Sequence, residues 1–371
     1  MSKVSVIMPS YNHVRYIGMA IDSVLSQTLE DIELIIIDDG STDGTQEVLR
    51  GIRDERVRCV LRERNVGAAQ GSNEGIAMAR SPYIAMISSD DLFFPTKLQR
   101  QLSVLMADAG VAAVFCRPAI IDEAGREFAV GSHRLHYEFL TGTWQRPELL
   151  RQLFLHGNFL CHPSILVRRE IYDRVGHYDV RLSSLGDFDM WMRIAVACPG
   201  AFVVLDEPLM AFRSHAGNTS GLTDGNLRCG HNEWPLIAER LFGLRNQTDV
   251  AAKAFPEIAA LLHNAEDVDY ALSRMALNHP VESVRAFGLQ RLYGLLADQT
   301  AAVYLAAAHG FTPRDLIKLS QETGAGCRQR SRSSIRAKLS RVLQNSVRVV
   351  HRVMHPGSTL LTKRGVAMRQ V

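Results

Sequence analysis

Apolar residues follow two rhythms along the first hundred positions. Short runs, "VSVIM" (4–8), "ELIIID" (33–38), "VRCVL" (57–61) and "YIAMI" (83–87), have the length and continuity of strands buried on both faces. Between them the period lengthens. Ile17, Ala20, Ile21, Val24 and Leu25 recur at helical spacing, residues 67–79 predict a helix, and Pro95 opens another carrying Leu98, Leu102, Leu105 and Ala109. Asp43 and Gln46 predict an N-cap and its partner for a helix burying Val48, Leu49 and Ile52. Strands alternating with helices of this length predict an α/β fold around a doubly wound, mostly parallel sheet.

Past residue 111 the rhythm loosens. "VAAVFCRPAIID" with the turn "EAGR" predicts a strand and hairpin, "HPSILVRR" (162–169) a strand, and "GDFDMWMRIAVAC" (186–198) a helix. Residues 232–320 predict a series of helices with short breaks. Composition adds little to this: of 371 residues, 46% are hydrophobic and 22% charged, which is ordinary globular usage. The formal net charge of +3 is too small to imply a polyanion partner, and no nucleic-acid binding is expected. Six cysteines without a CxxC pair read as reduced thiols, most of them buried. No 18-residue apolar run and no cleavage-site pattern are present, so neither a membrane span nor a signal peptide is expected.

In open parallel sheets, ligands bind beyond the carboxyl ends of the strands. There the sequence places Pro9-Ser10-Tyr11-Asn12, Asp38-Asp39 and Ser88-Ser89-Asp90-Asp91. A GxGxxG after the first strand and a GxxxxGK[ST] are both absent, which removes the usual dinucleotide and P-loop signatures. What remains is a nucleotide-sized pocket built from carboxylates. One can accept from a base N–H, and another can hold a divalent cation that neutralises a diphosphate. Plainer roles stand beside these: turn capping for Asp38-Asp39, helix N-terminal charge for Asp90-Asp91 and for Asp189, and packing for Trp144 and Trp191.

The segment "VSVIMPSYNHVRYIGMAIDSVLSQTLEDIELIIIDDGSTDGT" resembles the N-terminal signature of family 2 glycosyltransferases of the GT-A fold. The likeness continues through "NVGAAQGSNEGIAMARSPYIAMISSDDLFFPTKL", "HPSILVRREIYDRVGHYD", "GDFDMWMRI" and "FRSHAGNTS", in unbroken order over residues 3–222. It implies an inverting transferase that moves a sugar from a nucleoside diphosphate, UDP by default, to a hydroxyl of a glycan or lipid-linked acceptor. It implies a donor half at 1–105, an acceptor half at 106–222, and beyond them a helical region at 223–323 and a tail at 324–371. Pro9, Ser10, Tyr11, Asp38, Asp39, Asn65, Asn73, Ser88 and Ser89 would line the nucleotide. Asp90 matches the second aspartate of the DxD motif that ligates Mg²⁺ or Mn²⁺, with Asp91 as a helper, because Ser88 stands where that motif has its first aspartate. Asp187 matches the catalytic base, and Arg213 and His215 a basic motif near the diphosphate and metal. A nucleotidyltransferase and an inactive scaffold are the alternatives. The first lacks its basic Gly-rich loop after strand one, and retention of Asp39, Asp90 and Asp187 argues against the second.

The tail has its own character. Residues 328–371 hold eleven of the 42 Lys and Arg and none of the 39 Asp and Glu. On a helix, Ile335, Leu339, Val342, Leu343, Val349, Val350 and Val353 share one face, and Lys338, Arg341, Arg348 and Arg352 the opposite one. That pattern suits a helix lying in an anionic membrane surface, at the inner face of the membrane of a cytoplasmic protein, or one packed on the body or a second subunit.

Overall fold

The computed structural model describes residues 2–218, 221 and 223–323. The predicted amphipathic tail lies outside these residues. Strands β1 (Val4–Ser10), β2 (Ile32–Asp38), β3 (Val57–Leu61) and β4 (Tyr83–Met86) form a parallel block in the order β3-β2-β1-β4. Helices α1 (Ile17–Leu25), α2 (Thr45–Arg50) and α3 (Ala68–Met78) connect them. Every residue of β2 is buried, as its unbroken apolar run requires. Each such Ile or Leu contributes roughly 1.5–3 kcal/mol of burial.

The sheet continues through a second set of strands. After the short β5 (Leu92–Phe93) and α4 (Lys97–Ala107) comes β6 (Val111–Ile121), then α5 (Leu135–Glu138), β7 (Gly142–Trp144) and α6 (Arg146–His156). Strand β8 (Leu166–Arg168), α7 (Arg169–Val175), α8 (Gly186–Ala197) and β9 (Ala201–Arg213) follow. Beyond β4 the order is β8-β6-β9-β5, with β7 also on β9. β8 runs against both β4 and β6, β6 and β9 run parallel, and β5 and β7 run against β9. The result is the expected α/β architecture of the GT-A type, with a mostly parallel central sheet. A helical C-terminal region follows: α9 (Asp224–Arg240), α10 (Thr248–Ala254), α11 (Ala265–Ala276), α12 (Glu282–Ala297), α13 (Gln299–His309) and α14 (Pro313–Thr323).

Three local expectations are corrected. The strand predicted at 162–169 begins as a 3₁₀ turn, His162–Ser164, and only Leu166–Arg168 pair. Pro163, which has no N–H to give a ladder, sits in that turn. Helix α2 is capped by Gly44 in a left-handed conformation rather than by Asp43. Asp43 instead accepts from the N–H and hydroxyl of Thr45, while Gln46 reaches Asp38, and Val48 is exposed. The predicted 111–127 hairpin reduces to one antiparallel bridge, Ile121 to Glu127, because β6 pairs chiefly with β9.

Candidate functional site

The turns after β1 and β2 are stitched together at the carboxyl edge of the sheet. Asn12, at φ 55°, donates its N–H to Ser41 Oγ at 2.8 Å and accepts from Thr42 N–H at 2.9 Å. The His13 N–H donates to Thr45 Oγ1 and that of Val14 to Asp43 Oδ2. Among the described residues the buried hydroxyl of Ser10, beside Pro9, has no hydrogen-bond partner, while the ring of Tyr11 stands 43% exposed at the rim.

The adjacent carboxylates 38 and 39 have different tasks. Asp38 is fully buried and closes the turn, accepting from Ser41 N–H and Oγ and from Gln46 Nε2. That is the plainer of the two roles open to it. Asp39 looks to the other side, accepting from Arg62 Nη1 at 2.9 Å, Val66 N–H at 3.0 Å and Gly67 N–H at 2.7 Å. It thereby pins the loop that starts α3. Gly40, at φ +75°, lets the chain turn there, and a Cβ would meet the Arg64 backbone at 2.6 Å. Beside this carboxylate opens a cavity of about 730 Å³, lined by Arg62, Arg64, Val66 and Gln70 among others. Asn65 sits in the same loop, its Oδ1 accepting from Gly67 N–H. Asn73 donates to the Tyr178 carbonyl and accepts from the Tyr178 N–H, a clamp between α3 and the segment after α7.

A second group forms where the turns after β1, β4 and β9 meet. One ligand atom each of His13, Asp90 and His215 lies within 4.8 Å of the others. His215 Nε2 is 2.8 Å from Asp90 Oδ2, and His13 Nδ1 is 2.7 Å from Ser89 Oγ. The other His215 nitrogen faces the Gly217 N–H at 3.1 Å, and Asn218 braces the same turn through the His215 N–H and the Arg213 carbonyl. Burial pushes the His13 imidazole below its ordinary pKa against the pull of Asp90, which keeps a nitrogen lone pair available at neutral pH. Two imidazoles and one carboxylate fit a divalent cation. His13 was not foreseen. It is a single His in a turn, and only the fold brings it to Asp90.

Two residues expected to face the ligand instead build the site. The Arg213 guanidinium is buried, donates to the carbonyls of Asp90, Asp122 and Glu123, and lies 4.7 Å from the Tyr16 ring centroid. Asp91 is buried beside it, with Oδ1 accepting from the Arg213 N–H at 2.8 Å. Burial and then the charge of Asp90 push its pKa well up, against the pull of Arg213. Its carboxyl supports the turn through the Arg213 N–H. Ser88 stands half-buried at the start of the same turn.

Asp187 opens α8. Its Oδ1 accepts from the Phe188 N–H and its Oδ2 from Asn158 Nδ2 at 2.8 Å. Gly157, at φ +87°, ends α6 and turns the chain toward Asn158. Burial raises the Asp187 pKa above its usual value, while the neighbouring His162 pulls it down. Sequence reasoning missed the support of this helix. Glu233 on α9, nearly buried, accepts from the N–H groups of Ser183, Ser184 and Leu185 and from the Ser183 hydroxyl. Asp189, fully buried, bridges Arg193 and Arg240. Trp191 packs edge-on against Phe115, and Trp144 against Phe159.

Residues 5–176 match the family described as Glycosyl transferase family 2. An uncharacterized glycosyltransferase of Rickettsia prowazekii is 29% identical over 246 residues, 64% of this chain and 72% of that protein. The UDP-Glc:alpha-D-GlcNAc-diphosphoundecaprenol beta-1,3-glucosyltransferase WfaP of Escherichia coli is 29% identical over 52% of this chain and 70% of its own. Among solved structures, S. aureus TarS 1–349 in complex with UDP-GlcNAc superposes with a TM-score of 0.53 at 16% identity. That match covers 78% of this chain and 89% of the other, a likeness of fold.

Proposed function

The chain belongs to glycosyl transferase family 2, and from that premise we propose that it is an inverting transferase with Asp187 as general base. The donor is a nucleoside-diphosphate sugar, UDP-linked by preference, a choice supported by the UDP-sugars that WfaP and TarS are named with. Its nucleoside lies over Pro9, Ser10 and Tyr11 and against Asp39, with Asn65, Ser88 and Ser89 along the same rim. Asp38 and Asn73 belong to the same proposed nucleotide set, Asp38 through the turn it closes and Asn73 through its pairing with Tyr178. Residues 1–105 make up the donor half and 106–222 the acceptor half.

In the transfer step Asp187 takes the proton of an acceptor hydroxyl as that oxygen attacks the anomeric carbon. The bond from this carbon to the diphosphate oxygen breaks on the opposite face, inverting the configuration. A Mg²⁺ or Mn²⁺ ion held by Asp90 and His215 would supply positive charge to the departing diphosphate. Arg213 and Asp91 keep the two ligands in place. The observation that supports the reading is the group His13, Asp90 and His215 at the turns after β1, β4 and β9, whose ligand atoms lie within 4.8 Å of one another. The raised pKa of Asp187 suits a proton acceptor, being closer to neutrality than a free carboxylate.

The acceptor is a glycan or a lipid-linked sugar, in line with the diphosphoundecaprenol acceptor in the name of WfaP. No helix among the described residues is long and apolar enough to cross a membrane. In this reading the protein meets such an acceptor from the cytoplasmic face, held by the basic residues of 328–371. The test is transfer or donor hydrolysis with UDP-glucose and UDP-GlcNAc, with and without Mn²⁺. Asp187→Asn should keep UDP binding and lose at least about a hundredfold in turnover. Weaker UDP binding with unchanged turnover would overturn the base assignment.

A further inference from the structure

We propose that His13 is a third ligand of the cation and that it sets the metal class, favouring first-row transition ions over Mg²⁺. The inference rests on the reading of Asp90 and His215 as metal-holding residues and goes beyond it. Ser88 occupies the place where a second carboxylate would stand, and a hydroxyl adds no charge and little affinity there. The His13 ring enters the same space from a different strand end, and its ligand atom lies within 4.8 Å of those of Asp90 and His215. Its ring meets that of His215 edge-on at 5.8 Å and that of Tyr16 at 6.0 Å, so the imidazole is packed in place. Its backbone N–H is tied to Thr45, which fixes the turn that carries it.

The donor set then decides the ion. Mg²⁺ takes oxygen ligands and sheds its waters reluctantly, so two imidazoles offer it little. Mn²⁺, Co²⁺ and Zn²⁺ accept imidazole nitrogen readily, with affinity rising along that series. Replacing a carboxylate by a neutral imidazole also leaves the occupied site one unit more positive, which favours a diphosphate in the remaining positions.

The experiment is metal binding to the full-length, EDTA-stripped protein without turnover. Mn²⁺ alone and Mg²⁺ alone are titrated by calorimetry, Mn²⁺ also by loss of its free-ion EPR signal, each repeated with UDP present. Wild type should bind Mn²⁺ at least about tenfold more tightly than Mg²⁺. His13→Ala should lose most of that advantage while its Mg²⁺ affinity stays within about twofold. Ser88→Asp in the His13→Ala background should restore binding with Mg²⁺ now preferred, and His13→Gln, with circular dichroism on every variant, guards against a folding artefact. If Asp90→Asn abolishes Mn²⁺ binding and His13→Ala leaves it at the wild-type value, His13 is not a ligand and the reading of Asp90 stands. If Asp90→Asn also binds like wild type, the metal reading itself falls. Equal affinity of wild type for Mn²⁺ and Mg²⁺ would overturn the selectivity.

Discussion

Lys97 shows how much a single buried charge matters in this fold. It is fully buried in the first turn of α4, its ammonium 2.8 Å from Gln101 Oε1 and 3.9 Å from the Phe93 ring centroid. Burial pulls its pKa from 10.5 down to about 8. Below the folded value both folded and unfolded chains carry the proton, so the cost of burying the charge is felt in full. As pH climbs from about 8 towards 10.5 the folded protein sheds the proton first, and stability rises. Urea unfolding should show a gain of about 2 kcal/mol between pH 7 and 9.5 that Lys97→Met lacks. An equal gain in the two proteins would place the ammonium in contact with solvent. At this scale the sequence was legible where a residue's type limits its role. Adjacent Asp38 and Asp39 at a strand end had to be held by donors, and they are. Which one caps the turn was not legible, because that depends on whether Ser41 or the 66–67 loop comes within reach. His13 was hidden for the same reason: its partner Asp90 is 77 positions away in the chain.

Helix α8 is gripped at its start by α9. Glu233 takes three N–H groups from the segment entering α8, and Arg240, one helical face further along α9, reaches Asp189 in the first turn. Those N–H groups lie in the segment that leads into the helix, up to its N-cap Leu185, where a buried anion is also favoured by the dipole. Glu233→Ala should therefore cost about 1–3 kcal/mol in stability. It should speed amide exchange across 183–187 and slow transfer while UDP binding is kept, and Glu233→Gln should recover part of the loss. Unchanged exchange over that segment would show that α8 is held by its apolar packing alone. The regular alternation of β1 to β4 with α1 to α3 could be read directly, because unbroken apolar runs and 3.6-residue stripes differ in period. Strand β9 could not. Its sequence "AFVVLDEPLMAFR" places Asp206, Glu207 and Pro208 in mid-strand, where β6 pairing shows register shifts between Cys116 and Pro118. A proline and two charges look like a loop until the irregular pairing that tolerates them is seen.

For the molecule as a whole, charge is distributed by region. The last 44 residues, 328–371, are basic without an acidic residue, so the rest of the chain is net acidic and would be repelled by an anionic membrane. Each Lys or Arg near such a surface contributes about 1 kcal/mol. Full-length protein should co-sediment with vesicles rich in phosphatidylglycerol, and a chain ending at Gly324 should not. Equal sedimentation of the two, or indifference to anionic lipid, would remove the tail as the anchor. Membrane attachment of this kind leaves the body of the chain free to complete itself first, and there the position of β9 has a consequence. Among the described residues β9 is the last strand made, yet it is inserted between β6 and β5 rather than added at a border. During synthesis β6 must wait about 80 residues with one side unpaired, a sticky edge for any neighbouring chain. His215, two residues beyond β9, arrives only when that gap is filled. A nascent or truncated product ending near residue 176 thus has a nucleotide edge but no β9, no Asp187 and no His215.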